Sequence, residues 1–379
     1  MNVFDDLVGQ QHILDTLQGA LAAARSGAES QEMTHAWLFT GPPGSGRSLA
    51  ALAFASALVC PAGGCGECNS CTTVKLGGHP DVELIRSEGL SIKIDEIREL
   101  ITRASWTPSV ASYRVVVMED ADRLTESAAN ALLKAIEEPS TRTIWLLCAP
   151  TVTDVLPTIR SRTRNLTLRT PSAKAVSALL QGEGISVNLA TFAAAASQGH
   201  IGRARYLARD QVARDIRGDI LKLPTTVVDV ASAFAAAAKL VDAAKSQAES
   251  DAERKNDAEI ASFKEAWGQQ GSKVVAGGAK AIKELEKEQK SRQTRMVRDY
   301  LDRALLDIAT LYRDVLLTQA GGSDELINTD LGDVINHLAQ STTAEKTLAK
   351  LEIIMKTRAN LLLNAAPLLV IEAMMVQLR

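Results

Sequence analysis

One eight-residue stretch limits what this chain can fold into. Residues 41–48 read Gly-Pro-Pro-Gly-Ser-Gly-Arg-Ser and directly follow the apolar run Ala36–Thr40. A strand, a glycine-rich loop and a helix in this order form a P-loop, in which backbone N–H groups and the helix N-terminus converge on one phosphate. The stretch therefore predicts an α/β domain with a nucleotide-binding loop. Its candidate nucleotide-binding residues are Gly41, Pro42, Pro43, Gly44, Ser45, Gly46, Arg47, Ser48 and Leu49.

One position of this loop departs from the usual pattern. A P-loop carries a lysine whose ammonium reaches the β- and γ-phosphates, and this chain has Arg47 at that position. Arginine keeps the charge but replaces a compact ammonium by a broad planar fork, so it does not automatically take the same place between the phosphates. Whether the loop works on nucleotide is therefore an open question at the level of the sequence.

Further apolar segments predict the rest of a parallel sheet. Residues 81–85, 113–118, 142–149 and 165–168 read as strands separated by helical patterns. Fully apolar strands are typical of parallel sheets that are covered on both faces, where ligands bind at the carboxyl ends of the strands. We expect a five-stranded parallel sheet with its ligand site at that edge.

Two acids follow the third strand in an unusual order. A hydrolysing ATPase of this kind has an aspartate that supports Mg²⁺ and then a glutamate that polarises the attacking water. This chain has Glu119 and then Asp120. The exchange displaces both carboxylates by about one methylene, and catalysis tolerates misplacements near about 1 Å poorly. ATP or ADP with Mg²⁺ stays an open cofactor prediction, and we expect hydrolysis by this chain to be weak or absent.

Four of the five cysteines lie close together, at Cys60, Cys65, Cys68 and Cys71. Their spacing, with glycines between them, allows four thiolates to surround one tetrahedral Zn²⁺. A disulfide cluster is the alternative, but we expect no export signal, and disulfides rarely persist in a reducing compartment. Four cysteine ligands leave no position for water, so the predicted zinc site is structural. Cys148 lies in an apolar run and is expected to be a buried thiol.

Other candidate nucleotide contacts lie outside the loop. The N-terminal segment with Val8, Gly9 and Gln10 either folds back over the nucleotide or belongs to an ordinary surface element. Thr151 follows the fourth strand, where it either senses a γ-phosphate or is an ordinary turn hydroxyl. Arg203 lies in the first turn of a later predicted helix.

Arginines alternate along the segment that follows the fourth strand, at Arg160, Arg162 and Arg164. A charged run is usually only a solvated face. Its position beyond the predicted γ-phosphate sensor is nevertheless where an oligomeric ATPase presents a cation to the nucleotide of its neighbour. The segment is therefore a candidate for a contact with another subunit.

The composition argues against several functional classes. The chain is 46% hydrophobic and 23% charged, which is usual for a globular protein. No apolar run approaches the roughly 20 residues that span a bilayer, so we expect no membrane contact and a cytoplasmic protein. A net charge of −3 and an aromatic content of 4% argue against a broad nucleic-acid surface or a base-stacking platform.

The C-terminal part of the chain has a different pattern. Long helices are predicted over residues 228–250 and 279–319. One apolar stripe in the second of them indicates bundle packing. Its residues are Leu301, Leu305, Ile308, Leu311, Val315 and Leu316. Residues 245–295 mix both charge signs and are expected to form an exposed helical extension. A nucleic-acid role for that extension is the alternative.

Taken together, these motifs resemble the clamp-loader branch of the AAA+ ATPases. The run Asn-Ala-Leu-Leu-Lys-Ala-Ile-Glu-Glu-Pro at residues 130–139 is close to diagnostic for that branch. The resemblance covers about residues 1–210, and the remainder is similar only in being helical. The other segments that carry it are residues 4–10, 41–48, 60–71, 119–122 and 161–163.

Within this branch the chain is more similar to the delta-prime family of bacterial DNA polymerase III than to the tau/gamma motors. The motors keep Gly-Lys-Ser/Thr and an Asp-Glu pair, and this chain has neither. The resemblance implies a rigid stator in a nucleotidyltransferase holoenzyme, with little or no ATP hydrolysis of its own. It also implies that Arg162, in Ser-Arg-Thr where the family has Ser-Arg-Cys, is a finger that acts in trans.

The same resemblance implies the partners and the domains. The partners are the tau/gamma and delta subunits and, through the complex, the sliding clamp and primed DNA. The domains are a P-loop AAA+ domain at 1–170 with its zinc module at 60–71, a helical lid at 171–212, and an all-α collar at 213–379 with the charged insertion at about 245–295. A self-sufficient AAA+ ATPase such as the tau/gamma motor and a zinc-dependent DNA-binding module are the competing hypotheses.

Overall fold

The structure, a computed structural model, describes residues 2–26, 32–86, 91–266, 278–322, 326–363 and 365–379. The chain divides into two compact units, Met1–Ala208 and Arg209–Arg379. The three-domain division stays a prediction. Residues 267–277, in the middle of the predicted charged insertion, lie outside the described residues.

The first unit is built around a five-stranded parallel sheet, as predicted. The strand order is β2-β3-β4-β1-β5, so β1 lies between β4 and β5. The carboxyl end of β1, at Thr40, pairs with Ala149 of β4 and Thr167 of β5. The segments that follow these three strands are thereby brought to one edge. The strands are β1 (Ala36–Thr40), β2 (Val82–Ile85), β3 (Arg114–Met118), β4 (Thr143–Ala149) and β5 (Arg164–Thr167).

Helices cover both faces of this sheet. Trp37 and Phe39 of β1 belong to the apolar core on one face, and Leu38 belongs to the core on the other. Trp37 also packs edge to face on Phe54, with ring centroids 5.3 Å apart. Because successive side chains point to opposite faces, a strand covered twice is apolar throughout. The helices of this unit are α1 (Gln11–Ser26), α2 (Arg47–Val59), α3 (Asn69–Leu76), α4 (Ile94–Ala104), α5 (Glu126–Glu137), α6 (Pro157–Arg160), α7 (Ala173–Gly182), α8 (Val187–Ser197) and α9 (Ile201–Arg209), the last ending one residue past the unit.

The ends of α5 follow from its sequence. Thr125 caps its N-terminus, because the Thr125 hydroxyl accepts the Ala128 N–H at 3.3 Å. The helix ends at Glu137, two residues before Pro139, which cannot continue it. α5 therefore delivers an acidic side chain to its own C-terminal end.

The second unit is entirely helical in the part that the structure describes. The predicted apolar stripe is confirmed for Leu301, Leu305 and Ile308, which are buried in one cluster. It continues into a second cluster through Leu311 and Val315, whereas Leu316 is only half-buried. The first long helix continues to Ala266, well beyond residue 250, because the Ala/Glu/Lys-rich sequence favours helix. No described helix is long and apolar enough to cross a membrane. The helices are α10 (Gln211–Lys222), α11 (Val230–Ala266), α12 (Gly278–Gln319), α13 (Gly332–Ser341), α14 (Ala344–Leu362) and α15 (Pro367–Gln377).

Candidate functional site

The glycine-rich loop joins the carboxyl end of β1 to the first turn of α2. Gly44 and Gly46 have left-handed φ angles of +87° and +88°. A Cβ on Gly44 would also lie 3.1 Å from the Cα of His200, the residue before α9. The loop therefore needs glycine at position 44 for its backbone turn and for the close approach of His200. Of the other predicted residues, Pro42, Pro43 and Ser45 lie in the loop, and Ser48 and Leu49 lie in the first turn of α2.

Arg47 begins α2 and turns its guanidinium back onto the loop. Its Nη1 donates a hydrogen bond of 2.6 Å to the Gly41 carbonyl oxygen. A lysine at this position of a working P-loop extends toward the phosphates instead. Arginine at this position therefore binds the backbone of the loop, where a lysine would bind phosphate.

The first acid after β3 is also engaged. Glu119 forms a two-pronged ion pair with Arg86, with Nε to Oε2 at 3.1 Å and Nη2 to Oε1 at 3.2 Å. Arg86 directly follows β2, which neighbours β3 in the sheet. The carboxylate that the sequence predicted as a Mg²⁺ ligand therefore has a guanidinium beside it. We did not predict Arg86, and its only signal was its place at the end of the adjoining strand.

Two aspartates follow Glu119. Asp120 lies 4.0 Å from the Arg123 guanidinium. Burial raises the pKa of Asp122 above its ordinary value and the Asp120 charge raises it further, while the residue's own backbone N–H and the charges of Arg123 and Arg47 oppose the shift. The influence of Arg47 on Asp122 indicates that the loop and the acids share one electrostatic environment at this edge of the sheet.

The N-terminal segment packs against the loop. The Gln10 side-chain amide donates to the Ser45 carbonyl oxygen at 3.2 Å and to the Arg169 carbonyl oxygen, and it accepts the Arg169 N–H at 3.3 Å. Asp6 of the same segment lies 2.6 Å from the Arg205 guanidinium of α9. The segment therefore folds back onto the loop. Nucleotide contact by Val8, Gly9 and Gln10 stays a prediction.

Thr151 and Arg203 also lie next to residues of the loop region. Thr151 begins a short turn, in which its N–H donates to Asp154 Oδ2 at 2.8 Å and its hydroxyl lies 2.8 Å from the Thr153 hydroxyl. The preceding residue, Pro150, accepts the Gly41 N–H at 3.1 Å. The Arg203 N–H donates to the His200 ring at 3.2 Å. The sensing role of Thr151 and the nucleotide contact of Arg203 stay predictions.

The four clustered cysteines converge after α2. Their Sγ atoms all lie within 4.8 Å of one another, and Cys60 Sγ is 3.7 Å from Cys65 Sγ and 3.6 Å from Cys68 Sγ. Four thiolates around one Zn²⁺ stand about 3.8 Å apart, given Zn–S bonds of about 2.3 Å. All four are free thiols, as is the buried Cys148. The donor set and its spacing therefore fit a structural zinc ion. Its ligands would be Cys60, Cys65, Cys68 and Cys71.

The local backbone favours thiolate in part of this cluster. Burial would raise the pKa of Cys60, but N–H groups of Cys65, Gly64 and Ala62 and the Cys68 thiol lower it to about 6. Burial and the neighbouring thiols raise the pKa of Cys71 to about 12. Thiolates are the form that binds zinc, so a metal ion would compensate the crowding of sulfur atoms at the buried end.

The cysteine module is tied to the N-terminal region. The Val3 N–H donates to the Gly64 carbonyl oxygen at 3.0 Å, and the Arg25 guanidinium of α1 donates to the Pro61 carbonyl oxygen. Since Gln10 of the same N-terminal segment contacts the loop, the module and the loop are joined through residues 2–10.

The candidate finger lies in a turn after α6. The Ser161 hydroxyl donates to Thr158 O at 3.0 Å, and the Thr163 hydroxyl donates to Arg160 O at 3.2 Å. The Arg162 side chain between them is 41% exposed. The hydroxyls on both sides of Arg162 thus donate back to the turn, and the Thr163 hydroxyl ties it to the end of α6.

Arg162 has a partner that we did not predict. Its Nη2 lies 2.6 Å from Oε1 of Glu137, the last residue of α5. Arg164, two residues further on, has different partners. Its Nη1 donates to the Glu32 carbonyl oxygen at 2.6 Å, and its guanidinium lies 5.1 Å from the Trp37 ring centroid. The alternating arginines thus differ in role, and Arg164 serves the fold.

Two family models match most of the chain between them. The model described as DNA polymerase III, delta subunit, matches residues 17–172. The model described as DNA polymerase III, delta subunit, C terminal, matches residues 279–378. The first contains the loop, the cysteine module and the finger turn, and the second lies in the helical unit.

Curated relatives agree with these matches. The delta-prime subunit of Bacillus subtilis DNA polymerase III is 32% identical over 198 residues, which are 52% of this chain and 60% of that protein. The gamma/tau subunit of Mycobacterium tuberculosis is 34% identical over 198 residues, which are 50% of this chain and 33% of that protein. The matched regions thus span less than two thirds of either relative.

Among solved structures, a DNA polymerase III gamma subunit-related protein of Thermotoga maritima matches with a TM-score of 0.42 and 16% identity, over 92% of this chain and 100% of that chain. That score is too low to carry an argument. On the two family matches and the delta-prime relative, the chain belongs to the clamp-loader subunits of DNA polymerase III and is of the delta-prime type.

Proposed function

We propose that this chain is the stator of a clamp loader and supplies Arg162 in trans to ATP bound by a neighbouring ATPase subunit. The carrying observation is that Arg162 lies in a turn directly before β5, at the amino end of the sheet, with 41% of its side chain exposed. The chain's own loop lies at the opposite, carboxyl end, so this guanidinium is directed away from the chain's own nucleotide site. A guanidinium supplied in trans stabilises charge on the transferring phosphoryl group and is worth about 10³ to 10⁵ in rate. The neighbours would be tau/gamma and delta subunits, and the complex would load the sliding clamp on primed DNA.

The chain's own loop supports the same proposal. Arg47 is hydrogen-bonded to the Gly41 carbonyl oxygen, and Glu119 is ion-paired with Arg86. The side chains at the two positions where a motor binds phosphate and Mg²⁺ therefore both have partners within this chain. Backbone N–H groups of the loop would still hold a phosphate of ATP or ADP without cleaving it. In this proposal Zn²⁺ is bound by the four cysteines and is structural.

The self-sufficient ATPase is the second candidate, because gamma/tau subunits are also among the relatives. ATP turnover by the purified single chain separates the two functions. A motor hydrolyses ATP alone, and a stator does not. Brisk turnover by the isolated chain, abolished by Arg47→Ala, would replace the stator proposal by the motor.

The finger itself is tested by Arg162→Ala in a loader reconstituted with the tau/gamma and delta subunits of the same species. We expect the ATP turnover number of the complex to fall about 10³-fold, because the charge that stabilises the transition state is removed. Arg160→Ala, two residues away in the same arginine run, is the matched control and should leave turnover within about twofold. Equal turnover in the Arg162→Ala and wild-type loaders would contradict the proposal.

A further inference from the structure

The candidate finger is held from two sides. Glu137 at the end of α5 lies 2.6 Å from Nη2 of Arg162. Nη1 of the same guanidinium donates to the Thr158 carbonyl oxygen at 3.1 Å and to the Ser161 hydroxyl at 3.2 Å. A long side chain held by an acid on one nitrogen and by its own turn on the other keeps one direction, while its exposed part still faces solvent.

The position of Glu137 is unfavourable for α5 by itself. The C-terminal end of a helix carries a partial negative charge from its unpaired carbonyl groups, so an acidic side chain there is repelled. The sequence nevertheless places Glu137 and Glu138 next to each other at this end. Because the charge of Glu137 does not stabilise α5 itself, we look for its role in a contact outside the helix.

We propose that Glu137 is a positioning residue for Arg162: it fixes the direction in which the finger is presented to the neighbouring subunit's ATP. An arginine loses much rotamer freedom when it is fixed, and the ion pair would bring about that loss before the subunits meet. Glu137 touches neither nucleotide nor phosphate in this proposal and acts only through Arg162. The inference rests on the proposed function.

Glu137→Gln tests this inference in the reconstituted loader, because glutamine keeps the shape and an acceptor oxygen but removes the charge. We expect the turnover number to fall about 10-fold while KM for ATP stays unchanged, since the motor's own nucleotide contacts are intact. Glu138→Gln makes the same charge change one residue further on, at an exposed position, and should leave both constants as in the wild type.

A double variant separates positioning from a general structural effect. In a loader that carries Arg162→Ala, the added Glu137→Gln should cause no further loss of turnover, because the group it directs is gone. The purified Glu137→Gln chain should also unfold at the wild-type temperature. A further 10-fold loss in the double variant would overturn the inference.

Two outcomes distinguish this inference from the function it rests on. If Arg162→Ala leaves turnover unchanged, the finger proposal fails and the inference fails with it. If Arg162→Ala lowers turnover but Glu137→Gln leaves it unchanged or raises it, only the positioning role is wrong. Equal losses in Glu137→Gln and Glu138→Gln would likewise overturn it, because the effect would then be one of charge near α5.

Discussion

Two aspartates, one at each end of the central sheet, have pKa values that are shifted in opposite directions. At the amino end, Asp81 is fully buried and accepts N–H groups of Ser109, Val110 and Ala111 at 2.6 to 2.8 Å. Burial opposes ionisation there, but those donors hold the pKa of Asp81 below its ordinary value. The three hydrogen bonds therefore more than offset the cost of burying the charge of Asp81.

At the carboxyl end, Asp122 is in the reverse situation. Its Oδ1 is buried and accepts no hydrogen bond from the part of the chain that the structure describes. Burial and the charge of Asp120 raise its pKa. Asp81 at the amino end therefore stabilises the fold, whereas Asp122 at the carboxyl end is a costly group kept beside the loop, as is usual at functional sites.

The largest effect should come from the cysteine module, which belongs to the stabilising end. α2 begins at the carboxyl edge and runs back along the sheet to Cys60. Cys65→Ser should release the metal and lower the free energy of unfolding by on the order of 4 kcal/mol, measured by thermal unfolding and zinc content. The amide of Val3 should also exchange faster, because its acceptor Gly64 lies in the module.

A chelator is the control for this variant, since treating Cys65→Ser protein with it should cause no further loss. A metal-free wild-type chain with undiminished stability would show that the cysteines hold the fold without zinc.

The next effect should come from Asp81→Asn, which removes the charge that three N–H groups stabilise. We expect the free energy of unfolding at neutral pH to fall by about 2 kcal/mol, measured by urea unfolding. Because the pKa of Asp81 is lower in the folded state than in the unfolded one, its contribution is present above the unfolded value of about 3.9 and is lost as pH falls through the folded value.

The variant should therefore lack the acid-dependent part of the stability. Asp95→Asn, at an exposed position at the start of α4, is the matched control and should change stability by less than about 0.5 kcal/mol. If the free energy of unfolding of Asp81→Asn fell with decreasing pH as it does in the wild type, Asp81 would not be the stabilising carboxylate.

The smallest effect should come from Asp122→Asn, and it should have the opposite sign. The raised pKa means that the ionised carboxylate costs stability at neutral pH and that the cost disappears as pH falls below the unfolded value. The variant should therefore melt slightly higher than the wild type at pH 7 and at the same temperature near pH 3. A lower melting temperature at pH 7 would mean that the Asp122 charge supports the fold.

The sequence predicted the features that depend on neighbours along the chain. The strands, the loop and the cysteine cluster were all foreseen because apolar runs, glycines and close cysteine spacing are local signals. The turn that holds Arg162 was not foreseen, and the finger role of Arg162 stays a prediction.

The partners of the charged groups could not be predicted in the same way. Arg86 meets Glu119, and Glu137 meets Arg162, only because separate strands and helices end at the same place. No spacing rule relates such residues. The available signal for Glu137 was its place at the end of α5, where its charge is unfavourable, and for Arg86 it was its place at the end of β2.

The N-terminal segment has a consequence for the way the chain acquires its structure during synthesis. Residues 2–10 are synthesised before the residues that hold them, since Asp6 is paired with Arg205 and Gln10 is hydrogen-bonded to Arg169. Long-range contacts of this kind form late, because the intervening chain must be ordered before its ends can meet. This segment is thus made well before it can be fixed, and until then the apolar side chains of Phe4 and Leu7 are open to chaperones or to misassembly.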